Sequence, residues 1–280
     1  MTRRAIDTFV DERGSPPSEF AWIALGSHGR GELHCASDQD SGLVWVDEQA
    51  ASSTYAADLA ACVITALADW GLARCSGGFT ADNWSHDLSH WHGLLRTWVR
   101  EPDPHAVIEA EVFLDFRPIA GALPVAELSD IIHAGAESAH LMHGLAVAAT
   151  SFPPNLNVFG HLRGDVVESK RAGLNALVLL GRLFALKAGS FALGTQRRLA
   201  DAGAAGVLSQ TLVDDLIDAH SLLTELRLRC QLRALDEGRP PDNRIDFRAL
   251  TPDQKHALEH GLRAIRSAQK AAEFVFRTEL

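Results

Sequence analysis

Apolar residues in the first third of the chain come in short blocks that end at glycine or acid, while the last half carries long stripes at helical spacing. Residues 21–26 (AWIALG) are a continuous apolar run closed by glycine, the pattern of a buried strand. Residues 42–46 (GLVWV) form a second run directly after Asp38 and Asp40. Residues 53–70 place apolar side chains three and four apart and stop before Gly71, which predicts a helix with a glycine cap. Beyond the loop-rich stretch CSGGFTADNW, a further helix is predicted through residues 92–99. Residues 109–119 (EAEVFLDFRPI) have the strongest strand character in the chain and close at Pro118 and Gly121.

From about Val125 the periodicity becomes helical throughout, predicting helices over residues 125–150, 170–189, 209–236 and 252–276. The last one opens on Thr251-Pro252-Asp253-Gln254, a capping box with proline at the first helical position. The fold class expected is therefore α+β: an α/β domain over residues 1–121, followed by an all-helical domain over residues 122–280.

Composition narrows the partners. Acids outnumber bases 36 to 26, for a net charge of −10, which disfavours a polynucleotide because phosphate neutralisation needs a basic surface. No apolar run approaches the roughly 20 residues a membrane helix requires. The N-terminal MTRRAIDTFVDERG has no apolar core of a secretory leader. With four scattered cysteines and no CxxC pair, a cytoplasmic protein with reduced thiols is expected.

The candidate chemistry lies in GSHGRGELHCASDQD, residues 26–40. A glycine turn that opens a helix presents backbone N–H groups to phosphate, and Gly26 and Gly29 lack side chains that would obstruct it. Ser27 can add its hydroxyl and Arg30 a positive charge. Asp38 and Asp40 flank Gln39, and strand alternation puts both carboxylates on one face, where they repel unless a cation sits between them. Mg²⁺ suits such a site, since it binds through one or two carboxylates plus phosphate oxygens. An isolated Asp-x-Asp is usually a pair of solvated acids; the preceding turn points instead to a metal-bound nucleoside triphosphate. His86, His90 and His92 could line a helix, but a fourth metal ligand is missing. Cys75 reads as a buried apolar residue.

An apolar strand, Gly26-Ser27, ten residues and then Asp38-x-Asp40 resembles the polymerase-β-type nucleotidyltransferases. The string GRGELHxxSDxD is similar to the transferase domain of PII uridylyltransferases. Further on, Cys75-Ser-Gly-Gly-Phe-Thr-Ala-Asp-Asn83, Trp91, Asp115-Phe-Arg-Pro118, Lys170 and Thr195-Gln-Arg-Arg-Leu199 resemble the nucleotidyltransferase family called domain of unknown function 294 and its helical substrate-binding domain. The resemblance spans about residues 20 to 235. It implies a polymerase-β-like fold and transfer of a nucleoside monophosphate from an NTP to an acceptor hydroxyl, with pyrophosphate released and Mg²⁺ or Mn²⁺ as cofactor. The acceptor it implies is a protein, such as one of PII type, or a small molecule. It also implies Asp115 as a third carboxylate and metal ligand, and Lys170 as a phosphate contact. The family has Asp before that lysine, where this chain has Glu168-Ser169. The alternative for Asp115 is an ion pair with Arg117, and the alternative for the whole chain is a non-catalytic nucleotide sensor.

Overall fold

Phe20–Ala24 (β1) has no polar side chain, and all five residues are buried because the strand lies inside a sheet. The computed structural model describes residues 1–100 and 111–276. These divide into two units, Met1–Leu33 with Ser37–Ser138, and His34–Ala36 with Ala139–Leu280.

The first unit is built on a four-stranded sheet of order β5-β3-β1-β6. Within it β1 pairs antiparallel with β3 (Ser41–Trp45) and with β6 (Arg117–Gly121), and β3 pairs parallel with β5 (Ser85–Asp87). One sheet face packs on α1 (Thr2–Arg13) and on α4 (Thr54–Asp69), which follows the single turn α3 (Glu48–Ala51), joining Phe9, Trp22, Leu43, Trp45, Leu59, Val63 and Leu67 in one core. The helix expected over residues 53–70 is thus present, with the Ser53 hydroxyl capping the Ala56 amide at 3.1 Å. A second cluster is aromatic and gathers Phe79, Trp84, Trp98, Phe113 and the fully buried Trp91, which comes from α5 (Leu88–Arg100). The indole of Trp91 donates to the Leu43 carbonyl at 2.9 Å. Helix α6 (Ala126–Ala134) packs against α5 and belongs to this unit.

One expectation fails here. Residues 109–110 lie outside the described residues, but 111–113 are helical, 114 and 115 form a turn, and the strand begins only at Arg117. Residues 113–116 are all buried, so no exposed face alternates with a buried one as a half-buried strand would require.

The second unit is helical, as expected. α7 (Ala139–Thr150), α8 (Asn175–Lys187), α10 (Gln210–Asp236) and α11 (Pro252–Phe276) pack on one another, with α9 (Thr195–Ala204) against α8 and α10. The capping box forms at α11: Thr251 N–H donates to Gln254 Oε1 at 3.0 Å, and Gln254 N–H to Thr251 Oγ at 3.2 Å. Lys170–Leu174 makes a π-helical turn before α8. A short ribbon of β7 (Val166–Glu168) and β8 (Arg244–Asp246) completes the unit.

Candidate active site

The glycine turn follows β1 directly. Gly26–Arg30 forms a single helical turn, α2, which ends at Gly31 in the left-handed conformation. Its first residue, Gly26, has φ +51°, and a Cβ there would come within 2.9 Å of the Asp40 carboxylate. Glycine at this position therefore serves the approach of Asp40 to the turn. Gly29 serves a different contact, because a Cβ there would lie 1.7 Å from the backbone oxygen of Asp115.

Asp38 belongs to β2 (Asp38–Gln39), which pairs parallel with β4 (Ala73–Arg74). Gln39 turns inward, fully buried, and its amide donates to the carbonyls of Ile64 at 3.0 Å and Leu72 at 3.2 Å. Asp38 and Asp40 are half-buried. With Cys75 they contribute three potential metal-binding atoms, all within 4.8 Å of one another. This is the one such group among the described residues; His86, His90 and His92 form none. His86 and His90 stack on each other with ring centroids 4.1 Å apart, and His92 Nε2 lies 3.3 Å from Glu127.

The loop that carries Cys75 is stitched to β3. Ser41 N–H donates to the Phe79 carbonyl at 2.9 Å, and the Ser41 hydroxyl accepts from Ala81 N–H at 3.3 Å. Burial pushes the Cys75 thiol up to about 12, helped by its hydrogen bond to Asp40 and by that carboxylate's charge. The backbone amides of Phe79 and Gly77 act in the opposite sense. Cys75 is thus buried, as its sequence suggested, yet its sulfur stands against a carboxylate of the Asp-x-Asp pair. The available signal was its place in a loop with Gly77-Gly78, where a purely apolar cysteine has little to pack against.

Asp115 stands apart from this group. It is fully buried, and its Oδ2 accepts from Arg30 Nη1 at 2.5 Å. Arg30 also donates from Nε to Glu32 at 2.7 Å, and its side chain is only 11% exposed. Burial alone would lower the Arg30 pKa, but Asp115 and Glu32 more than offset this and hold it above its ordinary value. Two carboxylates therefore already balance the cation expected to meet phosphate. The ion pair between Asp115 and Arg117 considered from the sequence does not form. Arg117 instead donates to the carbonyls of Gly29 at 3.0 Å and His28 at 3.1 Å, bracing the end of α2.

Family models match both parts of the chain. "Putative nucleotidyltransferase DUF294" covers residues 1–105, and "Putative nucleotidyltransferase substrate binding domain" covers residues 139–276. The chain belongs to the DUF294 nucleotidyltransferase family. No curated protein matches it. A nucleotide is accordingly the substrate class of this DUF294 member. Within the described residues no helix is long and apolar enough to cross a membrane. Of the family-motif residues in its substrate-binding domain, Lys170 is exposed at the start of the π-helical turn, while Thr195 and Arg198 are buried. Arg198 donates to the Ala192 carbonyl at 2.8 Å.

Proposed function

We propose that this chain moves a nucleoside monophosphate from an NTP to an acceptor hydroxyl, with release of pyrophosphate, at the Asp38 and Asp40 carboxylates beside α2. The observation that carries the reading is the meeting of Asp40 with Gly26, which joins an acidic pair to a turn whose first residue has no side chain. Such an arrangement fits Mg²⁺ or Mn²⁺, because two carboxylates and the phosphate oxygens of a bound nucleotide make a ligand set of the right hardness. When bound, the cation supplies charge stabilisation at the phosphates. Asp38 and Asp40 would hold it. The Gly26 backbone N–H and the Ser27 hydroxyl would donate to phosphate oxygens. Lys170, with its exposed ammonium on the substrate-binding domain, is a phosphate contact in this reading.

In this reading Arg30 and Asp115 brace the site, rather than meeting phosphate as the turn suggested for Arg30 or metal as the resemblance implied for Asp115. Their mutual ion pair and burial favour a bracing function, in which Arg30 ties α2 to the turn before β6. The acceptor is a hydroxyl on a protein, of PII type or otherwise, or on a small molecule. Incubation with each labelled NTP and Mg²⁺ in cell extract tests the proposal. A labelled product is expected, and Asp40→Asn should reduce its formation by about 10²-fold or more, the scale of losing several kcal/mol of charge stabilisation. Nucleotide binding that depends on Mg²⁺ but yields no product with any NTP would favour the sensor reading.

A further inference from the structure

The three donors gathered at this site are two oxygens and one sulfur. Mg²⁺ takes oxygen ligands and leaves a thiol unused, whereas sulfur favours softer cations such as Zn²⁺ and Co²⁺. In the tetrahedral arrangement usual for Zn²⁺, donors at about 2.0–2.3 Å from the ion lie about 3.3–3.8 Å from each other. The atoms found here lie within 4.8 Å of one another, and side-chain rotations that move them by about 1 Å would bring them to that spacing. The surroundings of the sulfur supply a separate observation. The sulfur does not sit among apolar groups alone, since the backbone amides of Phe79 and Gly77 hydrogen-bond to it. Cys75 is also more than nine-tenths buried, and its thiol hydrogen bonds to Asp40. The thiol thus already faces one of the two carboxylates that would hold the cation.

We infer that Cys75 is a third protein ligand at the Asp38/Asp40 site for a divalent cation of the Zn²⁺ or Co²⁺ class, and that it sets the choice between such a cation and Mg²⁺. The inference rests on the reading of Asp38 and Asp40 as cation ligands. Binding forms a metal–sulfur bond and releases the thiol proton to water, so one proton leaves per ion bound. No electron is transferred.

The full-length chain, freed of metal with a chelator, is titrated with Co²⁺ and with Zn²⁺. Co²⁺ should produce a near-ultraviolet sulfur-to-cobalt charge-transfer band that saturates with occupancy of the site. X-ray absorption of the Zn²⁺-loaded chain should show a sulfur at about 2.3 Å. Cys75→Ser and Cys75→Ala should both remove the band and weaken Zn²⁺ binding by about 10-fold or more, with Mg²⁺ affinity altered by less than about 2-fold. Ion binding through oxygen and nitrogen alone would overturn the inference and leave the carboxylate reading intact. A band that survives in both variants would assign the sulfur to another cysteine and overturn it equally. Should neither variant fold, alkylation of the wild-type chain read peptide by peptide decides the matter. Zn²⁺ must slow modification at Cys75, and an unchanged rate there overturns the inference. If Asp38→Asn and Asp40→Asn keep all cation binding, the carboxylate reading itself is lost.

Discussion

Two acidic groups meet the two ends of α2, and the protein treats them in opposite ways. At the far end, Asp115 is sealed from water and neutralised by Arg30, which Glu32 also engages. At the near end, Asp38 and Asp40 remain half-buried and gather with Cys75. A buried acid with an internal cation is a structural joint. An acid pair next to an open turn, with a thiol as its third member, suits a cation from outside. The same residue type thus meets a different environment at each end, and the discriminating quantities are its burial and the group it faces.

The sharpest way to break this contrast is to remove the charge at the sealed end. Asp115→Asn removes the fully buried carboxylate of the Arg30 pair and leaves Glu32 as the anion that still engages the guanidinium. It should cost about 3 kcal/mol of stability, the low end of the range for breaking a buried pair from one side. Urea denaturation reads it directly. If the variant instead unfolds like the wild type and loses transfer, Asp115 is a reacting group and the two ends are alike.

The glycines sharpen the comparison at a smaller scale. Gly29→Ala would push a methyl group into the Asp115 carbonyl, with an initial separation of 1.7 Å. Backbone must shift to admit it, and a loss of about 3 kcal/mol is expected. Gly26→Ala faces the end of a side chain at 2.9 Å, together with a φ of +51°. A cost of about 1–2 kcal/mol is expected for that conformation. Its main effect should fall on Mn²⁺ affinity, as Asp40 swings aside. Denaturation and Mn²⁺ titration of both variants would show whether stability and cation binding separate in this way. Unchanged Mn²⁺ affinity in Gly26→Ala would uncouple the turn from the acids.

Proton uptake gives the smallest effect. Burial first, and then the charge of Arg117, lowers the His28 pKa below its ordinary 6.5. The unfolded chain accordingly takes up this proton at a higher pH than the folded one. The stability His28 contributes is full above about pH 6.5 and is lost progressively as pH falls from there through the lower folded value. His28→Gln should flatten the stability profile in that window. A profile as steep as the wild type's would place the acid sensitivity elsewhere.

Much of this arrangement could be read from the chain. The strand, glycine turn and Asp-x-Asp succession announces itself because all three are local, and the helices of the second unit follow from periodicity and capping residues. What escaped reading is long-range. Arg30 and Asp115 are 85 positions apart, and nothing near either one signals the other. Residues 111–116 carry the valine and phenylalanines of a strand. Phe113 instead packs among Trp84, Trp91 and Trp98, and this burial overrides the local preference. Cys75 shows the same limit, since its burial could be guessed but its carboxylate neighbour could not.

Gln39 has a consequence for the acids on either side of it. Its amide is fastened to two carbonyls, at Ile64 within α4 and at Leu72 just beyond that helix, on the side facing away from the carboxylates. The segment bearing Asp38 and Asp40 is thereby restrained from behind. Conformational freedom that a looser Asp-x-Asp would surrender each time an ion arrives is surrendered here once, when the chain folds. Ion affinity then depends less on ordering the ligands and more on the chemistry of the ligands themselves.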